Sequence, residues 1–194
     1  MKRIGIIGEH FKNDACALSL LLTPQYQGQI KFIPILKSLK GGYNSAAKIS
    51  RMLPTEMLKN NLDAVICTHD FDNHAKQASI EAWFKAINNS IRDKGVLFLL
   101  VMELEALILA DIECFNTIYG TSLKYTKNPK NEPDPKKYLM EKTFKTNRKY
   151  DENHSEEIFN QLRFDIVYKK HKGEQSFQAF IDAFNSNFDI HTTI

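Results

Sequence analysis

Asp70 and Asp72 stand two residues apart after an apolar run, Ala64-Val65-Ile66-Cys67-Thr68, and Glu9 closes another that spans Arg3 to Gly8. Carboxylates gathered from two such ends repel one another unless a cation neutralises them. Hard oxygen ligands of this kind suit Mg2+, or Mn2+ in its place, with water and phosphate completing the coordination. Aspartates are common in turns, so the aspartate pair alone says little; with Glu9 beside it, a metal site ligated by Glu9, Asp70 and Asp72 becomes the better reading. His69 and His74 flank the motif, and each reads more simply as a loop histidine bonded to backbone than as a ligand. Four further acids are accessory candidates. Asp14 can cap a helix over Ala15 to Leu22. Glu103 and Glu105 open a helix, where the dipole favours negative charge, just after another strand-like run. Asp111 is the only charge on an apolar face formed with Leu104, Leu107, Ile108 and Phe115. A buried aspartate needs a partner, and a helix cap or a basic group from the C-terminal segment would provide one. P-loop, GxGxxG and GxSxG patterns are missing, which disfavours nucleotide-driven and serine-hydrolase chemistry.

The elements that must position these acids follow from the pattern of apolar residues. Arg3–Gly8, Ile30–Leu36, Ala64–Thr68 and Val96–Val101 are short, β-branched, apolar runs, as expected of strands buried on both faces. Between them lie helical stretches: Ala15–Leu22, Asn44–Leu58 with a break at Pro54, His74–Lys94, and Glu103–Tyr119. Strands alternating with amphipathic helices predict an α/β fold, an open, mostly parallel four-stranded sheet covered on both sides. In such a sheet ligands bind beyond the carboxyl ends of the strands. The order predicts an α/β core over residues 1–120. Residues 121–194 then form a helical extension packed on it, with helices over Lys136–Glu141, Ser155–Val167 and Ser176–Phe184.

The extension is also where the charge gathers. Over the whole chain the net charge is only +3, but Lys124 to Lys149 carries nine basic residues against Glu132, Asp134 and Glu141. Tyr125, Tyr138, Phe144 and Tyr150 are interleaved with them. Lys136, Lys137, Lys142 and Lys145 are therefore candidates for contact with a phosphate backbone, DNA or RNA, while aromatic faces stack on bases; a solvated surface loop accounts for the same residues equally well. The length, 194 residues, and 43% hydrophobic content suit a folded globular protein. The amino-terminal apolar run is too short for a signal peptide or a membrane span, which predicts a cytoplasmic chain with no membrane partner. Cys16, Cys67 and Cys114 lie in apolar sequence without CxxC spacing and read as core thiols.

A strand-terminal glutamate, a later strand ending in Asp-x-Asp, and alternating β/α order around them resemble the Toprim domain, the metal-binding fold of topoisomerases, primases and several nucleases, those of the OLD type included. The segments Glu103-Leu104-Glu105-Ala106-Leu107-Ile108-Leu109-Ala110-Asp111, Asp134-Pro135-Lys136-Lys137 and Ser176-Phe177 look like the small stand-alone Toprim-like proteins known as domain of unknown function 4276. One departure is that Gly8 precedes Glu9, where Toprim proteins have glutamate before glycine. The resemblance implies Mg2+-dependent cleavage of phosphodiesters in nucleic acid, with Glu9, Asp70 and Asp72 as the catalytic metal ligands. It further implies a setting in bacterial defence against phage and a protein partner such as an ATPase. Two other functions compete: a non-catalytic Toprim-like module that binds nucleic acid or protein, and a phosphoacceptor receiver domain. The latter predicts paired acids after the first strand and a lysine after the last, and neither is clear here.

Overall fold

The computed structural model describes residues 1–37, 39, 45–71, 77–101 and 103–190. Four strands form one sheet: β1 (Lys2–Ile7), β2 (Ile30–Pro34), β3 (Ala64–Phe71) and β4 (Gly95–Val101). Their order is β2-β1-β3-β4 and every pairing is parallel, with Ile4 opposite Phe32 and Ala64, and Cys67 opposite Leu97. The open α/β sheet expected from the sequence is therefore present. The chain steps from β1 to β2 in one direction and then returns past β1 to β3 and β4. Right-handed crossovers must place the first helix on one face and the next two on the other. Accordingly α1 (Ala17–Leu22) joins the core under Ile4, Ile6 and Ile66, while α2 (Ala46–Asn60) and α3 (Gln77–Ser90) pack with Ile7, Val65 and Cys67 on the reverse. The reversal of direction at β1 opens a crevice at the carboxyl ends of β1 and β3.

The C-terminal helices cover the α1 face. They are α4 (Glu105–Ala110), α5 (Ile112–Tyr119), α6 (Pro135–Thr143), α7 (Ser155–Phe159), α8 (Phe164–Lys170) and α9 (Phe177–Phe188). Phe98 of β4 stacks on Phe180 of α9 with centroids 4.1 Å apart, and Phe32 of β2 meets Phe184 at 6.1 Å. One hydrophobic cluster runs from Ile4 through Leu139 and Phe159 to Ile190.

Several expected boundaries differ. The helix expected over Glu103–Tyr119 breaks at Asp111, whose backbone leaves the helical region (φ −110°, ψ 58°), and the one expected over Ser155–Val167 breaks before Phe164. Helix α2 runs unbroken through Pro54, capped by Ser45, which accepts from the Lys48 N–H. Helix α3 is described over Gln77–Ser90, and residues 74–76 of its expected span lie outside the described residues. Strand β3 is longer than its apolar run: His69, Asp70 and Phe71 pair with Leu99, Leu100 and Val101, so Asp70 belongs to the strand rather than to the loop after it.

Candidate functional site

A polar cleft of about 100 Å³ opens at the carboxyl ends of β1, β3 and β4. Among the described residues, Asp14, Asp70, Glu103, Glu105 and Glu152 line it together with Lys136 and His10. Asp14 follows β1, Asp70 lies on β3, and Glu103 and Glu105 follow β4, so three adjacent strands deliver the acids.

Asp14 is positioned by a six-residue π-helical turn, Phe11–Cys16, rather than as the expected cap of α1, whose first residue has no side-chain cap. Its carboxylate turns back to accept the backbone N–H of His10 at 2.7 Å. Gly8 makes that return possible, because a Cβ there would collide with the Asp14 side chain and crowd Thr68 Oγ1. The Thr68 hydroxyl in turn donates to the Ile7 carbonyl at 3.1 Å, pinning the ends of β1 and β3 together. Burial pushes the Asp14 carboxyl up to about 6, against the lowering effect of His10, and the charges of Glu105 and Glu9 add to the rise. π-helical turns are rare and frequent at functional sites.

Glu103 has a left-handed backbone (φ 75°) although it is not glycine, a conformation that costs on the order of 1 kcal/mol or more and gathers at binding and active sites. Glu105 opens α4 and accepts the Tyr150 hydroxyl at 2.9 Å; burial raises its proton affinity more than that bond lowers it. Lys136 forms an ion pair with Glu152, and that bond, with the charges of Glu105 and Glu103 behind it, holds its ammonium more firmly protonated than usual.

The other expected site residues lie elsewhere. Glu9 is exposed and does not line the cleft, although its charge reaches Asp14. Asp72 and His74 lie outside the described residues. His69 places Nδ1 2.9 Å from the Asp70 carbonyl, so that nitrogen carries the proton, and its ring stands edge-on to Trp83. Asp111 is fully buried and caps α5 while bonding both the side chain and the backbone N–H of Arg163. Lys137, Lys142 and Lys145 are exposed on or just beyond α6, and of the four candidate lysines Lys136 alone enters the cleft.

Family models, curated proteins and solved structures were all compared with this chain, and none matches.

Among the described residues, no three acid, histidine or cysteine side chains come close enough together to form a complete metal site. The donor chemistry nevertheless fits Mg2+, which binds through one or two carboxylates and keeps water or phosphate in its remaining positions. Crowded, partly buried carboxylates such as Asp14 and Glu105, both with raised proton affinity, are groups that a divalent cation would relieve. Glu152 lines the cleft, and Tyr150, read from the sequence only as an interleaved aromatic, holds Glu105 there; sequence reasoning assigned neither role. The return to acidic residues after the lysine run, Tyr150-Asp151-Glu152, is the signal that could have found them.

Proposed function

We propose that this cleft holds Mg2+ or Mn2+ and cleaves phosphodiester bonds of nucleic acid. The observation that carries the reading is the convergence of Asp14, Asp70, Glu103 and Glu105 from three adjacent strand ends at the switch point of the sheet. Asp70 would hold the ion with Asp14, water and phosphate filling its remaining positions, and Glu103 would accept from that water. The chemistry an ion supplies there, when bound, is polarisation of a phosphoryl oxygen and activation of water. Glu105, kept in place by Tyr150 and with its proton affinity raised, is suited to pass a proton to or from the attacking water or the leaving oxygen. Lys136 can turn from Glu152 toward a phosphate, and Lys137, Lys142 and Lys145 neutralise phosphates further along. The resemblance to Toprim proteins points the same way and adds defence against foreign DNA as the setting.

The test is cleavage of a labelled oligonucleotide in Mg2+ or Mn2+ and in EDTA. Cleavage should require the metal and be lost in Asp70→Asn and in Glu103→Gln. Equal cutting by wild type and Asp70→Asn would show that the activity lies elsewhere.

The Lys136–Glu152 pair favours a second reading. It supplies the cleft with a cation of its own, as a non-catalytic binding module would need. Melting curves separate the two. Divalent ions should raise the melting temperature of wild type by binding the folded state, and should not do so in Asp14→Asn/Asp70→Asn; equal shifts in both proteins would favour the module.

A further inference from the structure

Helix α6 leaves the cleft with one row of side chains still open to solvent. Leu139 and Thr143 are its buried side, and Asp134 caps it by accepting the Lys137 N–H at 2.8 Å. Lys136, Met140 and Phe144 follow at i, i+4 and i+8, which places them along a single ridge. The first lines the acidic cleft; the other two are 51% and 68% exposed. Among the described residues, only four large hydrophobic side chains are exposed to this degree, and these two are neighbours. Lysines border the ridge: Lys137 lies on the adjacent row, ahead of Glu141, Lys145 follows the end of the helix, Lys142 sits over the Tyr138 ring, and Lys149 sits over the Phe144 ring, the last two each at 5.2 Å from the centroid. The other aromatic residues of this segment are committed within the fold. Tyr150 is buried against Glu105, and Tyr125 bonds Glu132 while standing edge-on to Tyr138.

We propose that this ridge is a track for single-stranded nucleic acid that leads into the acidic cleft, with Phe144 as a stacking platform for a base. The charge around the ridge calls for a polyanion. An exposed aromatic face between lysines calls for planar rings, and a single strand offers both where a duplex keeps its base faces hidden. Lys136 to Phe144 spans about 12 Å of helix, the length of roughly three to four stacked nucleotides. An anionic membrane matches the charge but needs a longer apolar face than α6 presents, since its other apolar residues point into the core. The track rests on the reading of the cleft as a phosphodiester site only for its direction, so it is tested without catalysis.

Fluorescence anisotropy of the full chain in EDTA, with a labelled oligothymidylate strand and with the matching oligothymidylate–oligoadenylate duplex, makes that test. The single strand should bind more tightly than the duplex. Phe144→Ala should weaken single-strand binding about 5- to 150-fold, the range expected when one base loses its stacking partner, while Phe144→Trp restores it and the melting temperatures of all three proteins agree. Replacing Lys142, Lys145 and Lys149 with glutamine should flatten the salt dependence, by about 0.7 in slope for each phosphate no longer neutralised. Unchanged binding by Phe144→Ala, equal affinity for the duplex, or Phe144-dependent binding to phosphatidylserine vesicles in place of the strand would overturn the track. The expected binding pattern without any cleavage in Mg2+ would uphold the track and remove the chemistry proposed for the cleft.

Discussion

Burial pushes the Asp14 carboxyl up to about 6 even though it accepts the His10 N–H, and Glu105 and Glu9 push it the same way. A raised carboxyl stabilises the fold fully below its unfolded value, and that contribution fades as pH rises through the folded value. In EDTA, Asp14→Asn should therefore be more stable than wild type by about 1–3 kcal/mol near pH 8. The advantage should shrink below about pH 5, and urea titrations across that range would reveal it; a difference independent of pH would mean that Asp14 ionises freely. Gly8→Ala tests the same corner sterically. The added methyl has to displace the π-helical turn, at a cost of roughly 1–3 kcal/mol, and should weaken any stabilisation by Mn2+. The place of Asp70 just after a buried apolar run made it legible that this residue would stand at the strand ends, where it lines the cleft. The same pattern could not show that Asp14 would replace Glu9 in the cleft, because the π-helical turn that rotates Asp14 inward and leaves Glu9 in solvent has no distinct apolar period.

The segment from Glu103 to Tyr119 has a continuous helical pattern, yet the chain forms two helices around Asp111, which closes α4 and caps α5. Its carboxylate binds Arg163 at the entry to α8, through Nε at 3.0 Å and the backbone N–H at 2.9 Å. The lone charge on an apolar face announced that a partner was needed. Which basic group would arrive depended on the docking of the extension, and local pattern does not encode that. Asp111→Ala loses a cap and several charge-assisted bonds and should cost about 3 kcal/mol. Arg163→Met should cost a similar amount by leaving the carboxylate buried without its cation. The double variant should cost less than the sum of the two by about 1 kcal/mol or more, since both remove one interaction. Burial opposes ionisation of Asp111, but the Arg163 bonds outweigh it and hold its carboxyl below the ordinary range. Its contribution is therefore present above the unfolded value and lost as pH falls through the folded one, so the deficit of Asp111→Ala should narrow in acid. A deficit that stayed constant down to the acid transition would assign the loss to packing alone.

Across the whole molecule, strands and crossovers were legible because each β run is short, apolar and bounded by turns, and their alternation with helices leaves few topologies open. Less legible was how much of the sheet the C-terminal helices cover. Phe177, Phe180 and Phe184 show helical spacing, but only the assembled core reveals that they seat on Phe98 and Phe32. A chain ending at Gly120 should consequently lack a cooperative unfolding transition and tend to aggregate, which circular dichroism and sedimentation would show against the full chain. A sharp transition in that fragment would establish the α/β core as self-sufficient. The placement of α9 also has a consequence for synthesis. Strand β4 ends at Val101, whereas the helix that seals it ends only at Phe188. At about 5–20 residues per second, a ribosome takes on the order of ten seconds to make the intervening chain. During that interval the nascent sheet shows an apolar face to water, so the polypeptide should depend on chaperones while it is being made even though the finished protein hides that face.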